Sequence, residues 1–330
     1  MSTVHKPVLL EEVIKYLNPK FGENFIDCTF GGGGHSLEIL KYIEPKGKLL
    51  GIDSNLDIKK EIKKLRNEEI KGFENFIFVN DNFVNLKQIK KSKFNYNISG
   101  ILLDLGLSSD ELEKSGRGFS FQKDEPLDMR FDIQQNKTAS NILNSYSEKN
   151  LYDVFKNYGD YPYARRLSES VFKQRKLKKF NTTQDLVKLI LEISPRHGKL
   201  HPATKVFQAL RIAVNNELDN LAQVLPQAVD ILATGGHLVV ISFHSSEDRI
   251  VKNYFKEIGK GENKIVEILT KKPIVPSFDE IRENPRSRSA KMRVVKKLSF
   301  RATFRTVRSD GIPWNKNILL QRDPIVPTNS

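Results

Sequence analysis

The segment from Phe25 to Ser36, FIDCTFGGGGHS, constrains this chain more than any other. An apolar run ends on Asp27, four glycines follow, and helical spacing begins near His35. Such a strand–turn–helix lets backbone amides approach a ligand closely and aims a helix N-terminus at an anionic group. A dinucleotide fingerprint wants a third glycine where Ser36 stands, and a triphosphate loop wants a lysine after the glycines, which argues against both. The alternative is a tight turn that holds no ligand.

The surrounding pattern predicts an α/β sheet. Lys48 to Asp53, Phe76 to Val79 and Gly100 to Asp104 read as further strands, with a charged helix over Asp57 to Arg66. Short apolar runs separated by helices indicate parallel strands joined by crossovers. Asp53 ends the second strand, 20 residues after Gly33, where a carboxylate suits the ribose hydroxyls of an adenosine cofactor. Asp104 ends the fourth, in LLDLGLSS, at the sheet edge where ligands bind in open α/β folds; a loop-capping aspartate is the alternative. A glycine turn followed by an acidic strand end is also the layout of S-adenosylmethionine enzymes, in which the helix N-terminus would face the cofactor's carboxylate.

From Glu113 to about Asn216 loops and helices replace strands. Thr138 and Ser147 are N-cap candidates, and Thr182 with Asp185 resembles a capping box. Pro202 opens a long helix on which Val206, Leu210, Val214, Leu218, Leu221 and Leu225 share one face, expected to pack on the sheet. Strand character returns at Gly235 to Phe243, followed by a helix from Glu247 to Ile258 and a strand at Lys264 to Leu269. The proline-rich tail after Lys271 reads as loops, partly ordered only on a partner. The expected organisation is therefore a sheet domain in two parts, 1–112 and 217–293, a helical insert at 113–216 for substrate recognition, and a basic extension at 294–330.

Composition narrows the class. Among 330 residues Lys and Arg number 54 against 40 Asp and Glu, a net charge of +14, and residues 271–330 alone carry +9. A basic surface of this size favours a polyanion, most simply nucleic acid, with solubilising charge as the alternative. Cys28 is the only cysteine, which excludes an intrachain disulfide and a thiolate metal cluster. No apolar run approaches the ~20 residues that span a bilayer, and the N-terminus lacks a signal-peptide core. The expectation is a cytoplasmic protein without membrane or metal; His197 and His201 are four apart, but Pro195 and Gly198 break the helix that would align them.

Seven segments, in order, resemble the RsmH (MraW) family of ribosomal RNA methyltransferases: His5 to Leu10, Asp27 to Ser36, Leu102 to Ser109, Arg117 to Phe121 with Pro126 to Arg130, His201 to Leu218, Ile241 to Lys252, and Asn284 to Ser289. The resemblance implies a Rossmann-like S-adenosylmethionine-dependent methyltransferase sheet domain with an inserted, mainly helical domain. It implies methyl transfer from S-adenosylmethionine to the exocyclic N4 of a cytidine in small-subunit (16S-type) rRNA near the P site, with naked rRNA or the assembled small subunit as partner. By motif, the cofactor would contact Gly33, Gly34, His35, Asp53, Phe83 and Asp104. Glu111 stands where the family has a contacting glutamine, and Tyr158 to Tyr161 (YGDY) departs from the family's YGEE.

Cytosine N4 is a poor nucleophile, so it must be held in line with the methyl while its N–H groups are accepted. Asp104 is the candidate to orient the amine or the cofactor, with Ser242, Phe243 and His244 as the opposite wall. Phe243 could stack the base, and His244 is either a proton acceptor or a buried structural residue. Arg117, Phe119, Phe121, Asp128 and Arg130 suit a lid or base pocket, or else a cap on the insert. Lys205, Arg211, Arg286, Arg288, Lys291 and Arg293 are candidates for phosphate contacts. Two other readings stay open: a methyltransferase of another nucleic-acid amine, and a non-catalytic rRNA-binding ribosome-assembly factor.

Overall fold

The computed structural model describes residues 7–56, 58–67, 73–106, 115–194 and 201–299. They form two compact units, one from 7–106 with 218–299 and the other from 115–217. Strands β1 (Phe25–Asp27), β2 (Leu49–Asp53), β3 (Phe76–Asn80), β4 (Ile98–Asp104), β5 (Leu232–Ser242), β6 (Val266–Ile268) and β7 (Lys291–Lys297) all belong to the first unit. In chain order the described helices are α1 (Leu10–Leu17), α2 (Gly34–Ile43), α3 (Ile58–Asn67), α4 (Leu86–Lys93), α5 (Ala139–Ser145), α6 (Glu148–Asp153), α7 (Ala164–Gln174), α8 (Thr183–Ile193), α9 (Ala203–Asn215), α10 (Glu217–Ile231), α11 (Ser245–Ile258) and α12 (Phe278–Glu283). None is long and apolar enough to cross a membrane.

The seven strands form one sheet in the order β3-β2-β1-β4-β5-β7-β6. The first five are parallel, and β7 runs antiparallel between β5 and β6. Leu49 to Ile52 and Ile101 to Leu103 are apolar on successive residues and all buried, as a parallel sheet covered on both faces requires. From β1 the chain works outward to β3 and then returns to β4 on the other side of β1. That reversal is a topological switch point, which opens a crevice at the carboxyl ends of β1 and β4. Cys28 lies one residue past β1, and its N–H donates to Leu102 O at 2.9 Å.

The second unit packs α5 to α9 around Ile142, Leu151, Phe155, Leu167, Leu186 and Leu210. Its helix starts are capped: Asn141 N–H donates to Thr138 Oγ1, Asn150 N–H to Ser147 Oγ, and Thr182 N–H to Asp185 Oδ2, each at 3.1 Å. The long helix expected from Pro202 to Leu225 is two helices. Asn216 takes a left-handed conformation (φ 52°) and closes α9, donating its N–H to Ile212 O. Asparagine tolerates that conformation, which a helix cannot continue through. The break divides the shared apolar face. Val206, Leu210 and Val214 enter the helical core instead of packing on the sheet, while Leu218, Leu221 and Leu225 are buried along α10.

The tail after Lys271 also differs from the expectation of loops. Lys291 to Lys297 is an internal strand with Met292, Val294 and Val295 fully buried.

Candidate active site

Three adjacent strands of the sheet unit end on carboxylates: β2 on Asp53, β1 on Asp27 and β4 on Asp104. Asp27 is buried and accepts Ser36 Oγ–H at 2.7 Å and Thr29 N–H at 3.1 Å. Burial pushes its carboxyl above the ordinary range despite those bonds. Thr29 Oγ1 accepts the N–H of Asp104 at 2.7 Å, so one threonine couples the ends of β1 and β4.

Asp53 braces the glycine turn. Its Oδ2 accepts Gly31 N–H and its Oδ1 accepts Asn55 N–H, both at 2.8 Å. Residues 80–83 are tied to the same strand end: Asn80 Nδ2 donates to Asp53 O at 2.8 Å and Asp81 N–H at 3.1 Å, which sets Phe83, half-buried, just beyond.

Gly33 is the N-cap of α2 at φ +77°, and a Cβ there would lie 2.7 Å from the Phe30 ring. A Cβ on Gly34 would collide with Pro7, whereas one on Gly32 would meet nothing within 4 Å. The first turn of α2 holds no acidic residue, so the positive end of the helix is not countered by its own sequence. His35 is buried, with Nε2 3.0 Å from Val8 O. A carbonyl only accepts, so this nitrogen carries the hydrogen. The other, Nδ1, stands 3.6 Å from Asp104 Oδ2.

Asp104 is the chemically distinctive residue. Its side chain is 23% exposed, yet Oδ1 is sealed from solvent and has no hydrogen-bond partner among the described residues. Burial, and then the charges of Asp27 and Glu247, hold its carboxyl well above the usual carboxylate range. The sheet unit thus brings Gly33, Gly34, His35, Asp53, Phe83 and Asp104 to one edge. Glu111, His197 and residues 300–330 lie outside the described residues.

At the end of β5 the geometry corrects one expected role, that of Ser242, and gives His244 the structural one of its two expected readings. Ser242 is 2% exposed and donates to Lys291 O at 3.3 Å, so its hydroxyl belongs to the sheet and not to a wall of the pocket. His244 is the N-cap of α11. Its Nδ1 accepts Glu247 N–H at 3.3 Å, which leaves the hydrogen on Nε2. Nε2 is buried, has no hydrogen-bond partner among the described residues and stands 3.2 Å from Glu247 Oε1, so in this arrangement His244 has the structural role of a helix cap. Phe243 keeps its candidacy: its ring lies against Gly106, two residues past Asp104, and its N–H donates to Glu247 Oε2 at 2.9 Å. Glu247 also receives His244 N–H at 3.2 Å, so this 3%-exposed carboxylate sets the turn that presents Phe243. Asp27, Thr29, Ser36 and Glu247 were not singled out from the sequence. The signals were a polar residue beside each glycine-turn anchor and the acid three residues after His244.

In the helical unit, Arg117 Nη1 donates to Arg130 O at 2.8 Å and to Phe131 O at 3.2 Å. Asp128 and Arg130 form a bidentate pair with both bonds at 2.7 Å, which holds the Asp128 carboxyl below its ordinary range. Asn215 of α9 anchors this loop by donating to Met129 O and accepting Phe131 N–H. Phe119 is 6% exposed and stacks on Phe131, so its faces are covered: it is a core residue and not a platform for a base.

Two of the phosphate candidates are also engaged internally. Arg211 makes two 2.8 Å bonds to Glu217, and Arg293 is buried in a bidentate pair with Asp248 at 2.6 and 3.2 Å.

The sequence pattern of the MraW methylase family matches residues 2–298. Ribosomal RNA small subunit methyltransferase H of Clostridium botulinum is 43% identical over 315 residues, covering 90% of this chain and all of that protein. Its namesake in Dictyoglomus thermophilum is 47% identical over 296 residues, 89% of this chain and 97% of the relative. That of Sulfurihydrogenibium sp. is 46% identical over 298 residues, 89% and 99%. With the match running from the first residues through β7, and with the glycine turn and acidic strand ends falling inside it, the chain belongs to the MraW methylase family.

Proposed function

We propose that this chain is an S-adenosylmethionine-dependent methyltransferase of small-subunit ribosomal RNA, and that its acceptor is the exocyclic N4 of a cytidine near the P site. The names of the relatives support the reaction and the substrate class. The observation that carries the site is Asp104 Oδ1, a buried carboxylate oxygen without a partner at the switch point of the sheet. An unsatisfied acceptor of this kind costs stability, and a ligand donor would satisfy it.

The residues present fit the cofactor. S-adenosylmethionine carries positive charge on sulfur and on its amine, and the charges of Asp27 and Glu247 both act on Asp104. The Gly31 to Gly34 backbone and the start of α2 would receive its carboxylate, Asp53 its ribose, and Phe83 would flank its base. When bound, the cofactor supplies an electrophilic methyl group on a sulfonium.

The rest of the chemistry belongs to the chain. Asp104 Oδ1 accepts an N–H of the amine, which orients the nitrogen lone pair and offsets the positive charge that develops there. Its raised proton affinity suits it to take the proton as that charge is lost. Phe243 stacks on the cytosine, and Arg117 and the Asp128–Arg130 pair shape the recognition loop. Carbon-5 chemistry would need a thiolate, and the sole cysteine is unsuited: Cys28 is 1% exposed, and burial and then the Asp27 charge push its thiol up. This reading implies a cytoplasmic protein.

The test supplies labelled cofactor with naked small-subunit rRNA and, separately, with assembled small subunits, and maps the product by mass spectrometry. A single methyl on a cytidine N4 is expected. A methyl on carbon 5 or on ribose would refute the acceptor, and no transfer to either substrate would refute the reaction.

A further inference from the structure

The end of α7 and the turn after it carry Lys173, Arg175, Lys176, Lys178 and Lys179, with no acid between them. At its tip Leu177 is 92% exposed. Two of the five cations hold the turn in shape. Arg175 Nη1 donates to Leu143 O and Tyr146 O at the end of α5, and its guanidinium lies 4.5 Å from the Phe172 ring centroid. Lys178 Nζ donates to Asp185 Oδ1 at 2.7 Å. The backbone closes between them, Leu177 and Lys178 N–H both donating to Gln174 O at 2.9 Å, and buried Phe180 is held through its N–H by Asn144 Oδ1.

The other three, Lys173, Lys176 and Lys179, are exposed and make no ion pair with any described residue, although the Lys176 ammonium also lies 5.1 Å from the Phe172 ring centroid. A helix C-terminus attracts cations within its last turn, which accounts for Lys173 but not for Lys179 beyond it. The result is a knob braced by hydrogen bonds: three exposed ammonium groups without carboxylate partners among the described residues, around one apolar tip. Preorganisation of this kind lowers the entropy cost of binding a polyanion.

We infer that this knob is an RNA-docking surface, on which Lys173, Lys176 and Lys179 neutralise backbone phosphates while Leu177 packs against the nucleotide groove they border. The inference rests on the rRNA reading and adds a contact that none of the family motifs contains. Three phosphate contacts supply affinity without sequence information. They act through released counterions, so their signature is a salt dependence. An anionic membrane is the competing partner for a basic knob, but a membrane-bound helix needs a broad apolar face and this turn presents one leucine.

The test compares the full chain with a triple variant, Lys173→Gln, Lys176→Gln and Lys179→Gln, and with Leu177→Ala. Binding is measured against assembled small subunits and against a plain RNA duplex at several salt concentrations. The triple variant should bind both RNAs about 10- to 100-fold more weakly near 0.1 M salt, and its log–log salt slope should fall by about 2 to 3. Leu177→Ala should weaken binding several-fold without changing the slope. Cofactor affinity should stay at the parent value in both. Unchanged RNA affinity and slope in a variant that still binds cofactor would overturn the proposal. So would selective loss of binding to anionic phosphatidylglycerol vesicles with RNA binding intact. If the parent binds the duplex through these lysines yet methylates no small-subunit rRNA, the function reading fails and the docking surface stands.

Discussion

At the scale of single residues, Asp104 shows a function opposed to stability. Its buried carboxyl holds a proton more tightly in the folded chain than the ordinary value near 3.9. As pH rises above about 4 the unfolded chain releases that proton while the folded chain retains it, so this residue lowers stability as pH rises towards its folded pKa. Asp104→Asn removes the ionisation. It should stabilise the protein at neutral pH by about 1 kcal/mol, with the advantage shrinking towards pH 4, and should reduce methyl transfer by about 100-fold or more. Denaturant titrations at two pH values check this; a variant less stable than the parent at neutral pH would mean that the oxygen is satisfied in the folded protein. Asp53 and Asp104 were legible because each closes an apolar strand. His244 was legible only as two alternatives, base or buried structural residue, because its role is set by Glu247 three residues on: the imidazole stands where a capping box ordinarily has a hydroxyl.

At the scale of elements, parallel strands were legible from unbroken apolar runs, and β7 was hidden by its composition. KMRVVKK places a guanidinium in the sheet interior, and only its pairing with Asp248 of α11 makes that position tolerable. The two residues lie 45 apart, so no local pattern announces the match. Its last lysine, Lys297, ends in the carbonyls of Asp230 and Leu232. Removing one member leaves a buried charge, so Arg293→Ala should cost about 3–5 kcal/mol, whereas Arg293→Met with Asp248→Leu should cost much less. Chemical denaturation of the three proteins decides the matter, and a single variant within about 0.5 kcal/mol of the parent would show that the pair is solvated. The divided α9–α10 helix escaped for a related reason. Its apolar spacing is continuous across residue 216, and the left-handed Asn216 is supported by Lys137, which donates to Asn216 Oδ1 at 2.8 Å from far along the chain.

At the scale of the whole molecule, the sheet unit is assembled from two separated segments, 7–106 and 218–299, while the described residues of the helical unit fall within one, 115–217. The order β5-β7-β6 makes β7, the last strand among the described residues, an interior one, so the pairings on both its sides depend on residues 291–297. A chain ending at Ala290 should therefore lose cofactor binding and resist refolding, whereas one ending at Ser299 should keep both. Protease sensitivity and calorimetric titration with cofactor separate the two truncations, and a compact, ligand-binding 1–290 chain would contradict the role given to β7. There is a consequence for biosynthesis. As this polypeptide leaves a translating ribosome, the edge of β5 that β7 will cover stays open, its amides and carbonyls unpaired, until residues 291–297 emerge. Until β7 joins it, that edge can pair with another chain, and the competence proposed for the sheet unit awaits residues 291–297.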